Sequence, residues 1–536
     1  MAKCHILDTL PMWYSILKIP NKIMFTVATK ATNAVDRLAT LDETLVIEAL
    51  FGFMDSATTA TSRATFYNTK AEQKAALEAV HSRLFGVDRS LYASALMLPG
   101  MNDYSKQLGV TKLLVKQRGE DELLTDVQEH RLIIKLINDL PVHRILKVFM
   151  MLREQRINNA RTRKIILKTI LNHRSLELWS IRYRKKMVIV LEHAWGKRMT
   201  GILRAILSKE TQTEKEQKIL NSQIIKYLRR AEKAGKVTEC VGFILGNRAD
   251  LTLPLFRAFV DAKEDVFKGS KLPYEVLEGI RSRYYKDVLT SEDILDLTKN
   301  TLTTSQKMTL QNKAQKSGVK VELDWRNYDA VRLYVYAYKM GMTHDIRQVL
   351  NEKARQTAQK VPIGFQHVGI LVDGSASMYG DETQAMRPIA TACATRDMLM
   401  AGSQFSTIRY AGGVVSEDGL VQIEGDTTLA NGVIDLLEKG VDAIFILTDG
   451  YENAPAGRVG EVIRLARQIG IETPIFQASP VMAAEAGGLR QLSDSVMSLP
   501  IGEPAAMSIG LLKAQLEMDV QKGILTLLKM TMPKLM

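Results

Sequence analysis

Short apolar runs alternate with helical patterns between residues 365 and 516, and this alternation limits the possible folds more than any other feature of the sequence. The runs have the length of strands, and the stretches between them carry apolar residues at three- and four-residue spacing. Such alternation is typical of a doubly wound α/β fold, a parallel sheet with helices on both faces. The predicted strands are His367–Val372, Ser406–Ala411, Gly419–Ile423 at an edge, Ala443–Leu447, Pro474–Ala478 and Ser495–Leu499. The predicted helices are Glu382–Ala401, Leu429–Lys439, Val459–Ile469, Ala484–Leu492 and Ala505–Leu516.

Oxygen-bearing side chains follow the first of these predicted strands. Asp373, Ser375 and Ser377 come directly after its apolar run. In a doubly wound sheet, ligand sites lie at the carboxyl ends of the strands. A carboxylate with hydroxyls, and no Cys or His nearby, suits a hard divalent cation such as Mg²⁺. The sequence therefore predicts a cation site at this edge of the sheet.

Two further loops fall at the same edge of the predicted sheet and add oxygen-bearing side chains to the candidate cation site. Asp449 follows the strand Ala443–Leu447, and Thr427 and Thr428 precede a predicted helix. The set resembles the metal-ion-dependent adhesion site of von Willebrand factor type A domains, whose D-x-S-x-S run is present here. The family spacing G-x-T-x-L-A favours Thr427, and Thr428 is the second choice. The resemblance implies that Mg²⁺ or another divalent cation is held by Asp373, Ser375, Ser377, Thr427 and Asp449.

In that family the cation is not catalytic, because a carboxylate of a partner fills its vacant position and the site serves for docking. The rest of the chain also lacks the patterns of an enzyme. It contains no Ser-His-Asp arrangement, no phosphate-cradling glycine loop and no paired general acid and base. We therefore expect a protein without catalytic activity.

From Leu41 to residue 360 the chain is predicted to be helical, after an irregular N-terminal arm. A dozen or more helices with short links favour stacked helix pairs, an all-α, HEAT-like solenoid, although an irregular bundle remains open because no strict repeat is visible. The expected domains are an N-terminal arm over 1–40, a helical-repeat module over 41–360 and a type A domain with a helical tail over 361–536. The predicted helices of the module include Glu43–Phe53, Lys70–Phe85, Leu123–Asp139, Val142–Arg153, Thr162–Asn172, Leu176–Ala194, Ile202–Leu207, Glu214–Ala234, Val237–Gly246, Leu253–Ala262, Pro273–Tyr284, Ser291–Lys299 and Asn327–Gly341.

The two halves of the chain carry opposite charge. Residues 361–536 contain 12 Lys and Arg against 20 Asp and Glu, a formal charge of −8. Since the whole chain carries +13, the first 360 residues carry +21. A basic half indicates a polyanionic partner, whereas an acidic half with a carboxylate-rich site indicates a cation.

The densest positive charge lies between Arg153 and Lys186, and Lys197 and Arg198 follow shortly after. Trp179, Tyr183 and Trp195 are interleaved with these cations. Cations neutralise phosphates and flat rings stack on unpaired bases, so this pattern indicates an RNA-binding surface. A solvated helix face is the alternative, with the tryptophans in the core. The candidate RNA-binding residues are Arg161, Arg163, Lys164, Lys168, His173, Arg174, Arg182, Arg184, Lys185, Lys186, Lys197 and Arg198.

A basic helical module followed by a complete type A domain resembles the TROVE-module family, which includes the Ro autoantigen. In that family helical repeats close into a ring that binds RNA in its hole and on its outer surface, and the type A domain joins the ends of the ring. The resemblance implies binding of Y-like noncoding RNAs and of the single-stranded ends of misfolded RNAs, and a tether to an exoribonuclease or other protein.

Other features of the sequence bear on the cellular compartment, on membrane contact and on the competing functions. Cys4, Cys240 and Cys393 are few and scattered, which excludes a disulfide framework and favours a reducing compartment. No apolar run has membrane-spanning length, so we expect a cytoplasmic monomer without membrane contact. The competing function is a protein adaptor with a partner ATPase, as in chaperone or chelatase assemblies. A magnesium-dependent phosphohydrolase ranks third, because Ser375 stands where its D-x-D motif needs a carboxylate.

Overall fold

The computed structural model describes residues 43–59, 69–115, 124–361, 365–380, 385–425, 428–452, 455–480 and 490–531. The predicted N-terminal arm over 1–40 lies outside these residues. The described residues form two compact units. Unit 1 contains those of 1–109, 117–136 and 328–536, and unit 2 contains those of 110–116 and 137–327.

Described residues before the sheet form helices and turns, and no strand occurs among them, as the sequence predicts. The first helices are α1 (Glu43–Thr59), α2 (Lys70–Val87), α3 (Arg89–Ala95), α4 (Asp103–Val115), α5 (Asp126–Asn138), α6 (Val142–Glu154), α7 (Ala160–Leu171), α8 (Leu176–Arg182), α9 (Arg184–Trp195) and α10 (Lys197–Leu207). They are followed by α11 (Glu214–Gln223), α12 (Ala234–Leu245), α13 (Pro254–Asp261), α14 (Tyr274–Tyr284), α15 (Ser291–Thr298), α16 (Thr304–Thr309), α17 (Gln311–Lys316), α18 (Ala330–Met340) and α19 (His344–Ala358).

Local sequence signals account for several helix starts. Thr69 accepts a hydrogen bond from the backbone N–H of Glu72, whose carboxylate accepts one from the backbone N–H of Thr69. The same reciprocal capping box begins α11 at Thr213 and α15 at Thr290. Each box satisfies two backbone donors that a helix start leaves without a partner.

Two predicted helices are wrong in their extent. The pattern over 176–194 predicts one helix, but the chain leaves the helical conformation at Tyr183 and forms α8 and α9. The pattern over 214–234 also predicts one helix, but α11 ends at Gln223 and only short 3₁₀ turns and extended backbone lie before α12. In the second case a side chain from α7's end takes the backbone hydrogen bonds that a continuing helix would need, as described below.

The sheet has five parallel strands in the order β2-β1-β3-β4-β5. The strands are β1 (His367–Asp373), β2 (Phe405–Ala411), β3 (Ala443–Leu447), β4 (Ile475–Ser479) and β5 (Met497–Pro500). The helices of this region are α20 (Arg387–Gly402), α21 (Leu429–Glu438), α22 (Arg458–Gln468), α23 (Met507–Met518) and α24 (Val520–Thr531). The predicted alternation of strands and helices is confirmed, apart from two elements.

The first of these two elements is the predicted edge strand Gly419–Ile423, which does not join the sheet. Residues 412–424 instead form a hairpin with one isolated antiparallel bridge between Val415 and Val421. Gly419 has φ +72°, a left-handed conformation that turns the chain back on itself. The other is the helix Ala484–Leu492, of which only 490–492 are described, and these residues are not helical.

Both faces of the sheet are covered. Leu371, Ile444 and Ile446 pack in one core with residues of α21 and α22. The next side chain along β3, Phe445, points to the opposite face and stacks on Phe476 with ring centroids 5.1 Å apart. Every residue of β3 and β4 is buried, as expected of parallel strands with helices on each side.

Helices α18 and α19, which the sequence analysis assigns to the helical module, lie in unit 1 and pack against α20. The buried Arg396 donates to Asp397 Oδ1 from Nε (2.9 Å) and Nη2 (2.8 Å), and the hydroxyl of Tyr334 in α18 donates to the same carboxylate. The Tyr338 hydroxyl donates to the carbonyl of Val421 (3.0 Å) in the 412–424 hairpin. Side chains from before the sheet therefore hold elements of the sheet region.

Residues from near the two ends of the described chain also meet within unit 1. Lys513 of α23 is 8% exposed, and its ammonium pairs with Asp55 of α1 at 3.0 Å. Burial raises the pKa of Asp55, and Lys513 opposes this effect. Closure of the helical part into a ring stays a prediction, as do the three domain boundaries.

Candidate cation site and basic surface

The candidate cation site lies where the strand order reverses. β2 lies on one side of β1 and β3 on the other, so the loops after β1 and β3 diverge and leave a crevice between them. Asp373 is the last residue of β1, and Asp449 lies two residues beyond the end of β3. Both predicted carboxylate ligands therefore stand at this crevice.

Asp373 is fully buried and its carboxylate is held from both loops. The backbone N–H of Ser375 donates to Oδ1 at 2.9 Å, and the hydroxyl of Thr448 donates to Oδ2 at 2.6 Å. The Thr448 oxygen in turn accepts from the backbone N–H of Gly450 at 3.1 Å. The orientation of Asp373 is thus fixed before any ligand arrives.

Ser375, Ser377 and Asp449 continue the same network. The hydroxyl oxygens of Ser375 and Ser377 are 3.1 Å apart, and Ser377 also hydrogen-bonds to the Asp449 carboxylate. The backbone N–H of Tyr451 donates to Asp449 Oδ1 at 3.2 Å. Four of the five predicted ligands therefore lie in one hydrogen-bonded cluster.

The predicted fifth ligand, Thr427, lies outside the described residues. The alternative, Thr428, is exposed at the start of α21, where its side chain caps no backbone N–H of the helix. The choice between the two threonines stays open.

The electrostatics of the cluster fit a hard cation. Burial raises the pKa of Asp373 and the Asp449 charge adds to the effect, while Thr448 and Ser375 oppose it with hydrogen bonds. Burial likewise raises the pKa of Asp449, against hydrogen bonds and the charge of Arg490. Two carboxylates and two hydroxyls supply only oxygen, the donor that Mg²⁺ prefers. Within the described ranges, no three His, Cys, Asp or Glu side chains lie together in position to hold a metal ion.

Sequence reasoning missed the groups around the rim of the site. The buried Gln477 of β4 donates to the Arg490 carbonyl at 2.7 Å and accepts from the Leu492 N–H at 2.8 Å. The guanidinium of Arg490 stacks 3.6 Å from the ring centroid of Tyr451, which is 42% exposed. Arg490 is 41 residues from Asp449 in the chain, so no local sequence pattern could have predicted that they lie close together. Thr448 was also missed, but it directly precedes the predicted ligand Asp449 and its position in the loop after β3 could have indicated it.

The 412–424 hairpin closes on the backbone of the site. The N–H of Glu424 donates to the carbonyl of Gly374 at 3.0 Å and to that of Gly412 at 3.1 Å. A Cβ placed on Gly374 would lie 3.0 Å from the Cα of Gly413. A side chain at Gly374 would crowd the neighbouring loop, so glycine favours this close approach of the two strand-end loops.

The candidate RNA-binding residues lie on α7 to α10 and the links between them, all in unit 2. Eight of their side chains are exposed to solvent. This set, the exposed cations, consists of Arg163, Lys164, Lys168, Arg174, Lys185, Lys186, Lys197 and Arg198.

The other four candidates are half-buried, and contacts within the chain engage Arg161, His173 and Arg182. Arg182 pairs with Glu275 at 2.5 Å, and Arg161 also has a partner within the chain. His173 stacks on Trp179 with ring centroids 3.7 Å apart, and burial lowers the pKa of His173 with help from Arg174. Arg184 lies near Arg248, whose pKa is lowered to about 10 by burial and by the Arg184 charge.

The aromatic residues of this region serve the core more than the surface. Trp179 is 2% exposed, so it is a core residue and no platform for bases. Trp195 donates from Nε1 to the carbonyl of Gln223 at 3.2 Å. The stacking surface that the interleaved pattern indicates is therefore not formed by Trp179.

Within the described part of the chain, none of the eight exposed cations forms an ion pair. Other cations of unit 2 do have such partners. Lys236 pairs with Glu177 at 3.0 Å, and Lys209 with Glu216 at 2.6 Å. The eight exposed cations are thus left without a carboxylate partner in the described chain, whereas Lys209 and Lys236 of the same unit are paired.

Comparison with known proteins adds one structural likeness. No family model matches the chain, and no curated protein matches it by sequence. The crystal structure of the Ro (RSR) protein of Deinococcus radiodurans aligns over 76% of this chain and 99% of its own, with 14% identity and a TM-score of 0.32. A likeness at this level carries no assignment, so the function is argued from the residues of the chain itself. No helix in the described ranges is long and apolar enough to cross a membrane.

Proposed function

We propose that the chain is a non-catalytic RNA-binding protein of the TROVE type. Its helical part would bind small noncoding RNAs or the single-stranded ends of misfolded RNAs, and its sheet region would be a type A domain that docks a partner through a cation. The observation that carries the proposal is the group of exposed cations without ion-pair partners in the described chain.

Clustered like charges destabilise a folded surface unless a counter-charge relieves their repulsion. RNA phosphates provide that charge, and release of condensed counterions drives the association. The first 360 residues carry a formal charge of +21, so carboxylates of the same half do not balance it. A polyanion is the partner that this distribution favours.

At the sheet edge, Asp373, Ser375, Ser377, Asp449 and either Thr427 or Thr428 would hold Mg²⁺. When bound, the cation would supply a positive site for an anionic oxygen of a partner. The chain itself fixes the Asp373 carboxylate through Thr448 and the Ser375 backbone N–H, and places the Arg490 guanidinium on the rim.

Salt-dependent RNA binding tests the main part of the proposal. The full chain is titrated into a fluorescein-labelled single-stranded RNA of mixed sequence at several salt concentrations. We expect tight binding at low salt that weakens steeply as salt rises, and a loss of about tenfold or more in affinity for Lys185→Glu/Lys186→Glu. The matched control is Lys316→Glu/Lys320→Glu, an equal charge change at two exposed lysines of unit 2 outside α7 to α10. Salt-independent binding, or equal losses in both variants, would overturn the proposal.

A protein adaptor is the second candidate, and the Arg490–Tyr451 stack beside the candidate cation site favours it. A function as a protein adaptor leaves the exposed cations without a role. Nucleic acid that co-purifies with the protein, seen as a raised ratio of absorbance at 260 and 280 nm, separates the two candidates in favour of RNA binding.

A further inference from the structure

Asn172 joins two basic segments that are more than fifty residues apart in the chain. Its amide Nδ2 donates to the carbonyl of Tyr227 at 2.9 Å, and its Oδ1 accepts from the backbone N–H of Arg229 at 2.7 Å. The same Nδ2 donates to the carbonyl of Lys168 at 2.8 Å, within the last turn of α7. One side chain therefore fixes residues 225–230, the pinned segment, against the end of α7.

The pinned segment leaves the helical conformation where Asn172 holds it. Residues 225–227 form a single 3₁₀ turn, after which Leu228 and Arg230 have extended backbone. The Tyr227 carbonyl and the Arg229 N–H are the groups that an ordinary helix would pair within itself. Because Asn172 satisfies both, the segment is held as a 3₁₀ turn followed by extended backbone.

This arrangement gathers cations from both segments. Lys226, Arg229 and Arg230 are exposed on the pinned segment, and Lys168 and Arg174 are exposed at the end of α7 and just beyond it. None of these five side chains forms an ion pair within the described residues. The ammonium of Lys226 lies 4.9 Å from the ring centroid of Tyr227.

We propose that the pinned segment and the end of α7 form one patch for the sugar-phosphate backbone of single-stranded RNA, with Asn172 as its positioning residue. The proposal rests on the proposed RNA-binding function and extends it to Lys226, Arg229 and Arg230. Charge complementarity selects the occupant, because five cations without carboxylate partners repel one another and a chain of phosphates relieves that repulsion. A flexible single strand can follow cations presented on the pinned segment and on a helix end, since its backbone is not held to duplex geometry.

The test measures the affinity of the full chain for a fluorescein-labelled oligouridylate at several salt concentrations. Arg229→Ala/Arg230→Ala keeps the backbone N–H that Asn172 holds but removes two phosphate contacts. We expect a loss of about three- to tenfold in affinity, and a slope of log affinity against log salt that is shallower by about 1.4. The matched control is Lys316→Ala/Lys320→Ala, an equal loss of charge outside both segments, for which the wild-type slope is expected.

The positioning role of Asn172 is tested by a double-mutant cycle. Asn172→Ala leaves the charge of the patch unchanged but releases the segment, so we expect a weaker affinity. In the background of Arg229→Ala/Arg230→Ala the same substitution should have little further effect, because it acts through those cations. Additive losses would show that Asn172 acts elsewhere and would overturn its role.

The outcomes separate the patch from the function on which it rests. If the wild type shows no salt-dependent binding, the proposed function fails and the patch with it. If the wild type binds and Arg229→Ala/Arg230→Ala matches it in affinity and slope, the patch alone is overturned. An effect confined to vesicles containing phosphatidylserine, with oligouridylate binding unchanged, would also overturn it and assign the cations to a membrane surface.

Discussion

The carboxylates at the sheet edge and the cations of α7 to α10 are placed in opposite ways. Asp373 is fully buried and held by two hydrogen bonds, and Asp449 shares its network. Residues such as Lys185 and Lys186 are exposed and form no ion pair within the described chain. The first arrangement fixes a few atoms in a low-dielectric crevice, and the second spreads charge over a surface in water.

These placements favour different ligands. Fixed, buried oxygens suit one small ion, because their positions are set before binding and their charges are weakly screened. Exposed, flexible cations suit a long polyanion, and salt screens their effect. We therefore expect point changes to act strongly at the sheet edge and weakly, but additively, on the helical surface.

The largest effect is expected at the carboxylates. Asp373→Ala or Asp449→Ala removes a charged ligand from the crevice and should lower the affinity for Mn²⁺, a spectroscopic substitute for Mg²⁺, by about 100-fold or more. Electron paramagnetic resonance of free Mn²⁺ measures it. The control Glu438→Gln, at an exposed position at the end of α21, should bind as the wild type does. Full Mn²⁺ affinity in both alanine variants would refute the cation site.

A smaller loss is expected for Thr448→Val, which removes the hydroxyl that donates to Asp373 Oδ2. We expect about tenfold weaker Mn²⁺ binding, as for other groups that orient metal ligands. Because a buried acceptor loses its partner, the free energy of unfolding should also fall by about 1–3 kcal/mol, measured by urea denaturation. Thr407→Val, at a half-buried threonine on β2, is the control for Mn²⁺ binding, and an equal loss there would contradict a specific role for Thr448.

A lysine of unit 2 without an ion-pair partner and one with a partner can be compared for their contributions to RNA affinity. Lys185→Ala should weaken RNA binding by about two- to threefold, because one phosphate contact is lost. Lys236→Ala removes the same charge, but Lys236 already pairs with Glu177, so little change is expected. Fluorescence anisotropy with a single-stranded RNA measures both. Equal losses would mean that net charge, and not unpaired surface charge, governs binding.

The smallest effect concerns His173. Burial lowers its pKa below the ordinary value of 6.5, so the unfolded chain takes up a proton before the folded protein does. Its contribution to stability is therefore complete above about pH 6.5 and declines as the pH falls through that value. His173→Phe keeps a ring to stack on Trp179 and should reduce the decline in melting temperature between pH 7.5 and 5.5. An unchanged decline would indicate that His173 titrates normally.

Most of the sheet could be predicted from the sequence because β1 and β3 contain continuous apolar runs and helical spacing recurs between the short predicted strands. Asp373 and Asp449 could be placed for the same reason, since carboxyl ends of parallel strands share an edge. The predicted edge strand Gly419–Ile423 failed because a hairpin is decided by its turn and by partners such as Tyr338, which lies 83 residues from Val421.

Contacts between distant residues account for what the sequence did not show. The sequence pattern over 214–234 does not indicate that Asn172 hydrogen-bonds to the backbone of Tyr227 and Arg229. The break at Tyr183 involves neither glycine nor proline, so helical spacing runs through it. The likeness of the helical part to TROVE modules and of the sheet to type A domains rests on motif and order, and stays a prediction.

The Tyr334 contact has a practical consequence for anyone who wishes to produce the sheet region by itself. A truncated chain that starts at residue 361, where the sequence pattern changes, would lack α18 and α19. The carboxylate of Asp397 would lose the Tyr334 hydroxyl, and the apolar face of α20 would be left open to water. Such a fragment would tend to aggregate, whereas one that starts near Tyr328 keeps the helices that cover it.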